Sequence, residues 1–317
     1  MVIRIPNWLG DAIMAIPVYY NLSQKEKIYL FGPKEIVNLF QNFPNTEILY
    51  YEKNNFKKNL EILKPLKNEI GLLLTNSFSS AWLFFRASLK ERWGYAKDLR
   101  SPLLTKAVKP PPLKLHQRDY YLYLLKKLDL PHNYRDLLLP VNNRMLEKAK
   151  SILGNIVEKP FIVIAPGAAY GPAKMWPKEY YKDLIQKLIK KWNVVIVGGY
   201  KEKEIGNFIK GDFNKAYNLC GKTDLITVAG IFYFSKAVIS NDSGLMHLAS
   251  ALKIPQIAIF GSTDPFLTGP LNPKAIVLKK YMPCSPCFKR TCKYNHYKCL
   301  KSISVNEVME ALENLIF

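Results

Sequence analysis

The residues of this chain best placed to do chemistry lie where apolar runs end and helical periodicity begins. Val238-Ile239-Ser240 runs into Asn241-Asp242-Ser243-Gly244, and Leu245-Met246-His247-Leu248 opens a helical pattern at once. The stretch reads as a buried strand, a tight polar turn and a helix start. Free backbone N–H groups and the positive end of a helix dipole at such a start suit a phosphate. Gly244 lets a ligand approach the backbone closely. The same letters also describe an ordinary capped turn with Asp242 as N-cap. Near the N-terminus, residues 2–5 lead through Pro6-Asn7-Trp8-Leu9-Gly10 to Asp11. Asp11 thus sits between a strand end and a helix start, as a capping carboxylate or as a catalytic or ligand-binding one. A third cluster is Cys284-x-x-Cys287, Cys292 and Cys299, with His296 inside it. Its spacing is compatible with a structural zinc or iron–sulfur centre on Cys284, Cys287, Cys292 and Cys299, with disulfides, or with free thiols. None of these makes the cluster catalytic.

The chain that must position these residues has 317 of them, too many for one ordinary core, so two domains are expected. Its 49% hydrophobic and 13% aromatic content is that of a folded protein, whereas the net charge of +21 is far from typical. That charge implies anionic partners: nucleic acid, acidic lipid headgroups or phosphorylated small molecules. Met1 is followed directly by a strand-like Val-Ile-Arg-Ile, and the most apolar later stretch, 71–85, is interrupted by Thr75, Asn76, Ser77, Ser79 and Ser80. It is also shorter than the roughly 20 apolar residues that span a bilayer. A cytoplasmic protein, or one attached to a membrane from the cytosol, is therefore expected.

Strands are expected at 2–5, 28–31, 47–50 and 70–74, with helical runs between them, and the alternation argues for a mostly parallel sheet. A helix is expected over 12–22. Thr75-Asn76-Ser77-Phe78-Ser79-Ser80 follows the fourth strand as a polar loop and cleft wall. The basic, proline-punctuated stretch 91–112 reads as irregular structure. His116 and Arg118 open a helix and are placed to meet an anion. A boundary is expected near Gly154 and Pro160. The pattern then restarts with strands at 161–165, 194–197, 236–240 and 256–260, each ending in a loop that carries Gly, Ser/Thr, Lys or an acid. Loops of that kind along one sheet edge build a nucleotide cleft. There is no G-x-G-x-x-G, so the usual dinucleotide fingerprint is absent. The organisation is α/β: two doubly wound Rossmann-like domains, 1–155 and 156–317, with an amphipathic terminal helix expected to pack back on the first.

Assembled in order, four blocks resemble glycosyltransferase family 9, the ADP-heptose:lipopolysaccharide heptosyltransferases. They are Arg4-Ile5-Pro6-Asn7-Trp8-Leu9-Gly10-Asp11-Ala12-Ile13-Met14, Pro166-Gly167 through Lys174-Met175-Trp176-Pro177, Asn241 through His247, and Phe260-Gly261-Ser262-Thr263-Asp264-Pro265 with Thr268-Gly269-Pro270. The resemblance implies the glycosyltransferase B fold, with an N-terminal acceptor half and a C-terminal donor half. It implies inverting transfer of heptose from ADP-heptose to the heptosyl-Kdo-lipid A inner core, with no required cofactor. Matched residue by residue, it implies Asp11 as catalytic base and Lys174 on the diphosphate. It implies Glu202 on the ribose, and Asp242, Ser243, Gly244, Leu245 and His247 as the donor signature. Ser262 and Thr263 would add hydroxyls at the phosphates, and His247 is a rival base. Asn7, Trp8, Asn76, Ser77, His116 and Arg118 are the acceptor-side candidates. The chain departs from the family pattern at Ala169, where an acidic residue is expected.

The expected partners are ADP-heptose, the lipopolysaccharide core and the cytosolic face of the inner membrane, met by a monomer. The resemblance leaves open another nucleotide sugar or core acceptor. A non-enzymatic binder of nucleic acid or acidic lipid is the alternative that the charge suggests. The chain has no recognition helix, RNA-binding aromatic motif or low-complexity basic tail, so no nucleic acid partner is expected.

Overall fold

The computed structural model describes residues 1–316. They form two compact units, divided between Pro140 and Val141. The first unit holds strands β1 (Val2–Arg4), β2 (Ile28–Gly32), β3 (Thr46–Tyr50), β4 (Ile70–Leu73), β5 (Glu91–Tyr95) and β6 (Lys106–Val108). Its helices are α1 (Leu9–Met14), α2 (Ile16–Ser23), α3 (Lys34–Val37), α4 (Phe56–Leu63), α5 (Phe78–Arg86) and α6 (Gln117–Lys127). The strands are parallel, in the order β3-β2-β1-β4-β5-β6. Strand order therefore reverses between β1 and β4, the place where doubly wound sheets bind ligands.

The second unit repeats that plan. Its strands are β7 (Phe161–Ala165), β8 (Asn193–Ile196), β9 (Ala216–Asn218), β10 (Ala237–Asn241), β11 (Gln256–Phe260) and β12 (Ala275–Lys279). Its helices are α7 (Asn143–Leu153), α8 (Lys178–Leu188), α9 (Lys203–Lys210), α10 (Leu225–Phe234), α11 (Gly244–Ala251), α12 (Pro265–Thr268), α13 (Lys298–Lys301) and α14 (Val305–Ile316). The order β12-β11-β10-β7-β8-β9 puts its reversal between β7 and β10. Strands β7, β8, β10 and β11 are buried along their whole length, as the central strands of a covered parallel sheet must be.

Four expectations need correction. The boundary lies before α7, because Met145, Ala149 and Leu153 are buried where that helix packs on α10. The terminal helix α14 packs on α8, β11 and β12 of its own unit, with Val308, Ala311 and Leu312 in that core. The stretch 91–112 is not all irregular, since it contributes β5 and β6. The single helix expected over 12–22 is two, broken at Ala15 ahead of Pro17, whose ring removes a backbone donor. Among the described residues no helix is long and apolar enough to cross a membrane.

Candidate functional site

In the second unit the loops after β7 and β10 flank the sheet's reversal point, and both deliver charge to it. Lys174, in the loop after β7, places Nζ 2.5 Å from Oδ2 of Asp242. The same carboxylate oxygen accepts a hydrogen bond of 2.6 Å from Thr263 Oγ1, in the loop after β11. Three neighbouring strand ends thus converge on one carboxylate that is 3% exposed. Asp242 is not the N-cap of the next helix. Ser243 occupies that position with no side-chain cap, and Asp242 points instead at the cation. The Ser243 and Ser262 hydroxyls are buried and have no protein partner. Gly244 and Leu245 form the first turn of α11, and His247 lies buried one turn further along.

The loop bearing Lys174 is pinned on three sides. Asn241, wholly buried at the end of β10, accepts from Trp176 N at 3.0 Å and from Tyr181 Oη at 3.0 Å, and donates to Pro166 O at 2.6 Å. Trp176 Nε1 donates to Ile303 O at 2.9 Å. The cysteine-bearing segment supplies the third side. Ala173 N donates to Arg290 O, Phe288 N donates to Ser262 O, and Tyr170 Oη donates to Phe288 O at 2.7 Å. Gly171, at φ +146°, is required there, because a Cβ would lie 2.6 Å from Arg290 O. The segment forms a wall of the site.

Within that segment, among the described residues, no disulfide joins the cysteines. Burial pushes the Cys299 thiol up, as does the nearness of Cys284, Cys287 and Cys292. For Cys292, burial is outweighed by backbone hydrogen bonds at Tyr297, Tyr294, His296 and Asn295, so the thiol is lowered. Among the described residues no three His, Cys, Asp or Glu side chains are grouped to hold a metal ion.

Glu202 ends a short turn after β8. Its side chain lies across the glycines of two strand ends: a Cβ on Gly167 would come within 2.6 Å of Glu202 Cγ, and one on Gly198 within 2.8 Å of its Cβ. Among the acids of the Lys/Glu run around it, Glu202 is the one that packs against Gly167. Beneath it, burial pushes the Cys220 thiol up to about 12, with Glu202 adding to the effect.

In the first unit Asp11 lies in the first turn of α1, not at its N-cap, which is Trp8. The helix dipole there favours its negative charge. Burial, then the charge of Asp11, raises the hydroxyl pKa of Tyr19 and of Tyr121 well above the ordinary tyrosine range. Asn7 is held by Arg4, whose Nη2 donates to Asn7 Oδ1 at 2.6 Å and whose guanidinium stacks 4.0 Å from the Tyr51 ring. Trp8 beside it is 54% exposed. After β4, Asn76 donates to Tyr120 Oη at 3.2 Å, and Ser77 caps α5 by accepting from Ser80 N. Arg100 is fully buried. It donates to Thr75 O, to Asn76 Oδ1 and to Tyr95 O. Burial lowers both Arg4 and Arg100 to about 10. Neither arginine is evident from sequence as a positioning group, because only the fold shows that it is buried. His116 and Arg118 are engaged locally: His116 caps α6 by accepting from Arg118 N, and Arg118 grips Asp119 through two hydrogen bonds.

Two doubly wound parallel sheets with polar loops at both reversal points define the architecture of the B-fold glycosyltransferases. The family model for glycosyltransferase family 9 (heptosyltransferase) matches residues 60–298. The chain belongs to that family. It is similar to lipooligosaccharide heptosyltransferase 2 of Campylobacter jejuni, with 30% identity over 99% of this chain and 97% of the relative. Lipopolysaccharide heptosyltransferase 2 of Escherichia coli is 29% identical over 98% of this chain and 97% of its own length. The solved structure of the E. coli ADP-heptose lipopolysaccharide heptosyltransferase II matches with a TM-score of 0.87 at 27% identity, over 99% of this chain and 98% of that one.

Proposed function

We propose that the protein transfers heptose from ADP-heptose to the inner core of lipopolysaccharide, onto a heptosyl-Kdo-lipid A acceptor, with inversion at the anomeric carbon. The observation that carries this reading is the Lys174–Asp242–Thr263 cluster at the reversal point of the second sheet. It fixes a cation beside the start of α11, where the free N–H groups of the first turn and two buried hydroxyls also lie. A departing diphosphate needs that combination. Full-length similarity to proteins named heptosyltransferase 2 supports heptose as the sugar.

In the proposed reaction the acceptor hydroxyl oxygen bonds to the anomeric carbon while its proton passes to Asp11. The bond from that carbon to ADP breaks, and its electron pair leaves on the β-phosphate. Lys174, the α11 N–H groups and the hydroxyls of Ser243 and Ser262 meet the charge that develops. Glu202 is assigned to the ribose hydroxyls. Asp242 keeps Lys174 in place. The lipid-anchored acceptor makes the protein a peripheral partner of the cytosolic membrane face. The test is ADP release on incubation with ADP-heptose and a panel of truncated core acceptors. Release with the monoheptosylated acceptor is expected; no release with any acceptor overturns the reading.

A further inference from the structure

Helix α5 has two apolar sides. Ala81, Leu83 and Phe84 are buried in the core of the first unit, as an amphipathic helix requires. The opposite side should then be polar, and it is not. Phe78 and Phe85 are 48% and 42% exposed, with half-buried Trp82 between them. At 3.6 residues per turn these three rings fall within about 60° of the helix circumference. Trp82 and Phe85 stack with centroids 5.6 Å apart. Exposed aromatics scattered singly are ordinary; a stacked stripe on one helix is a patch.

Cations edge the stripe. The Arg86 guanidinium lies 5.5 Å from the Trp82 ring and that of Arg92 lies 5.5 Å from the Phe85 ring. Lys106 sits 4.1 Å from the ring of Trp93. Apart from the buried Arg100, residues 81–110 hold six Lys/Arg and two acids, and one of those acids, Glu91, accepts from Trp93 Nε1. Aromatic rings that settle at headgroup depth, surrounded by cations that meet anionic headgroups, are the chemistry of an interfacial helix.

We propose that the outward face of α5, with Arg86, Lys90 and Arg92, is the surface by which this protein sits on an anionic phospholipid bilayer. The proposal rests on the lipid-anchored acceptor proposed above. The placement agrees with it: Ser77, in the loop assigned to the acceptor, is the N-cap of α5. A sugar whose anchor stays in the bilayer has to be met by a loop close to the bilayer surface.

The test is co-sedimentation of the full chain with vesicles of phosphatidylglycerol and phosphatidylcholine, against vesicles of phosphatidylcholine alone, at rising salt. The wild type is expected to bind the anionic vesicles at low salt and to be released as salt rises. Trp82→Ser/Phe85→Ser should lower partitioning tenfold or more. The separate charge reversal Arg86→Glu/Lys90→Glu should lower it about twenty-fivefold or more, at about fivefold for each cation removed. A control that removes exposed rings elsewhere, Tyr233→Ser/Tyr281→Ser, should bind as the wild type does. Melting temperature checks the fold of each variant, and ADP release with a deacylated, water-soluble acceptor should be unchanged in all of them. A wild type that binds no anionic vesicle even at low salt overturns the membrane reading as a whole. Wild-type binding that both α5 variants retain leaves that reading standing and overturns this face. A wild type that is dimeric by light scattering, with a monomeric aromatic variant, assigns the face to a second copy of the chain instead.

Discussion

Lys174 and Asp242 meet at 2.5 Å with 13% and 3% of their side chains exposed, and that burial decides what the pair is for. Coulomb attraction at an effective dielectric of 20 is worth about 7 kcal/mol at such range. Desolvating each ion costs several kcal/mol. The two nearly cancel, so the pair fixes a position and adds little stability. Thr263 fills a further acceptor site on the same carboxylate oxygen, which leaves Lys174 one orientation. The proton-transfer role assigned to Asp11 is separable from all of this. Asp11→Asn should lower the rate of transfer by about 10²–10⁴-fold, the usual worth of a positioned general base, while ADP binding by calorimetry stays near wild type. Retained turnover removes Asp11 from the chemistry. Glu202 is tested through its neighbour. Gly167→Ala puts a Cβ 2.6 Å from Glu202 Cγ, and a flexible side chain moves aside at small cost in stability. A charge-assisted hydrogen bond is worth about 1.5–3 kcal/mol, so the donor KM should rise roughly ten- to a hundredfold with little change in Tm. An unchanged donor KM counts against the ribose role.

Among the elements, α7 and α10 approach each other more closely than any pair of side chains would permit. A Cβ on Gly230 of α10 would lie 2.0 Å from the backbone oxygen of Met145 on α7. Alanine is the better helix former by about 1 kcal/mol, yet here it has to push a whole helix away, and overpacking costs about 1–3 kcal/mol. Gly230→Ala should therefore lower the thermal midpoint; an unchanged or raised Tm would show that α7 yields freely. The same contact explains the misplaced boundary. Gly154 and Pro160 are good local stop signals, but a helix that has lost its partner cannot be recognised from its ending. Strand β6 stayed hidden for a related reason. Lys106-Ala107-Val108 is a short edge strand with Lys106 and Ala107 exposed, and edge strands have no apolar alternation to show.

On the scale of the molecule, the second unit contains its own core and every group assigned to the donor. A chain of residues 141–317 should fold and bind ADP, whereas one of 156–317 should not. The shorter chain strips α7 from α10, of which seven residues, Ile226 to Phe232, are buried. Cooperative melting and ADP titration of both chains check this, and equal behaviour would restore the boundary at 155. The four site loops of that unit follow β8, β7, β10 and β11, which are neighbours in the sheet, so strand order alone brings Glu202, Lys174, Asp242 and Thr263 to one edge.

The amino-acid sequence by itself determined the alternation of strands and helices, hence two parallel doubly wound sheets. It also determined the polar loops at the strand ends, because burial on both faces forces apolar strands and leaves chemistry to their termini. Asn241-Asp242-Ser243-Gly244 was legible from those letters as a polar strand end, equally a phosphate site or a capped turn. What Asp242 does was not, since a carboxylate after a strand caps a helix or pairs with a cation according to what folds beside it. Only the tertiary structure brought Lys174 to it from 68 residues away, buried Arg4 and Arg100 as pins for the loops of the first unit, and laid the cysteine-bearing segment against the Lys174 loop as a wall. These are non-local contacts, and no local periodicity records them.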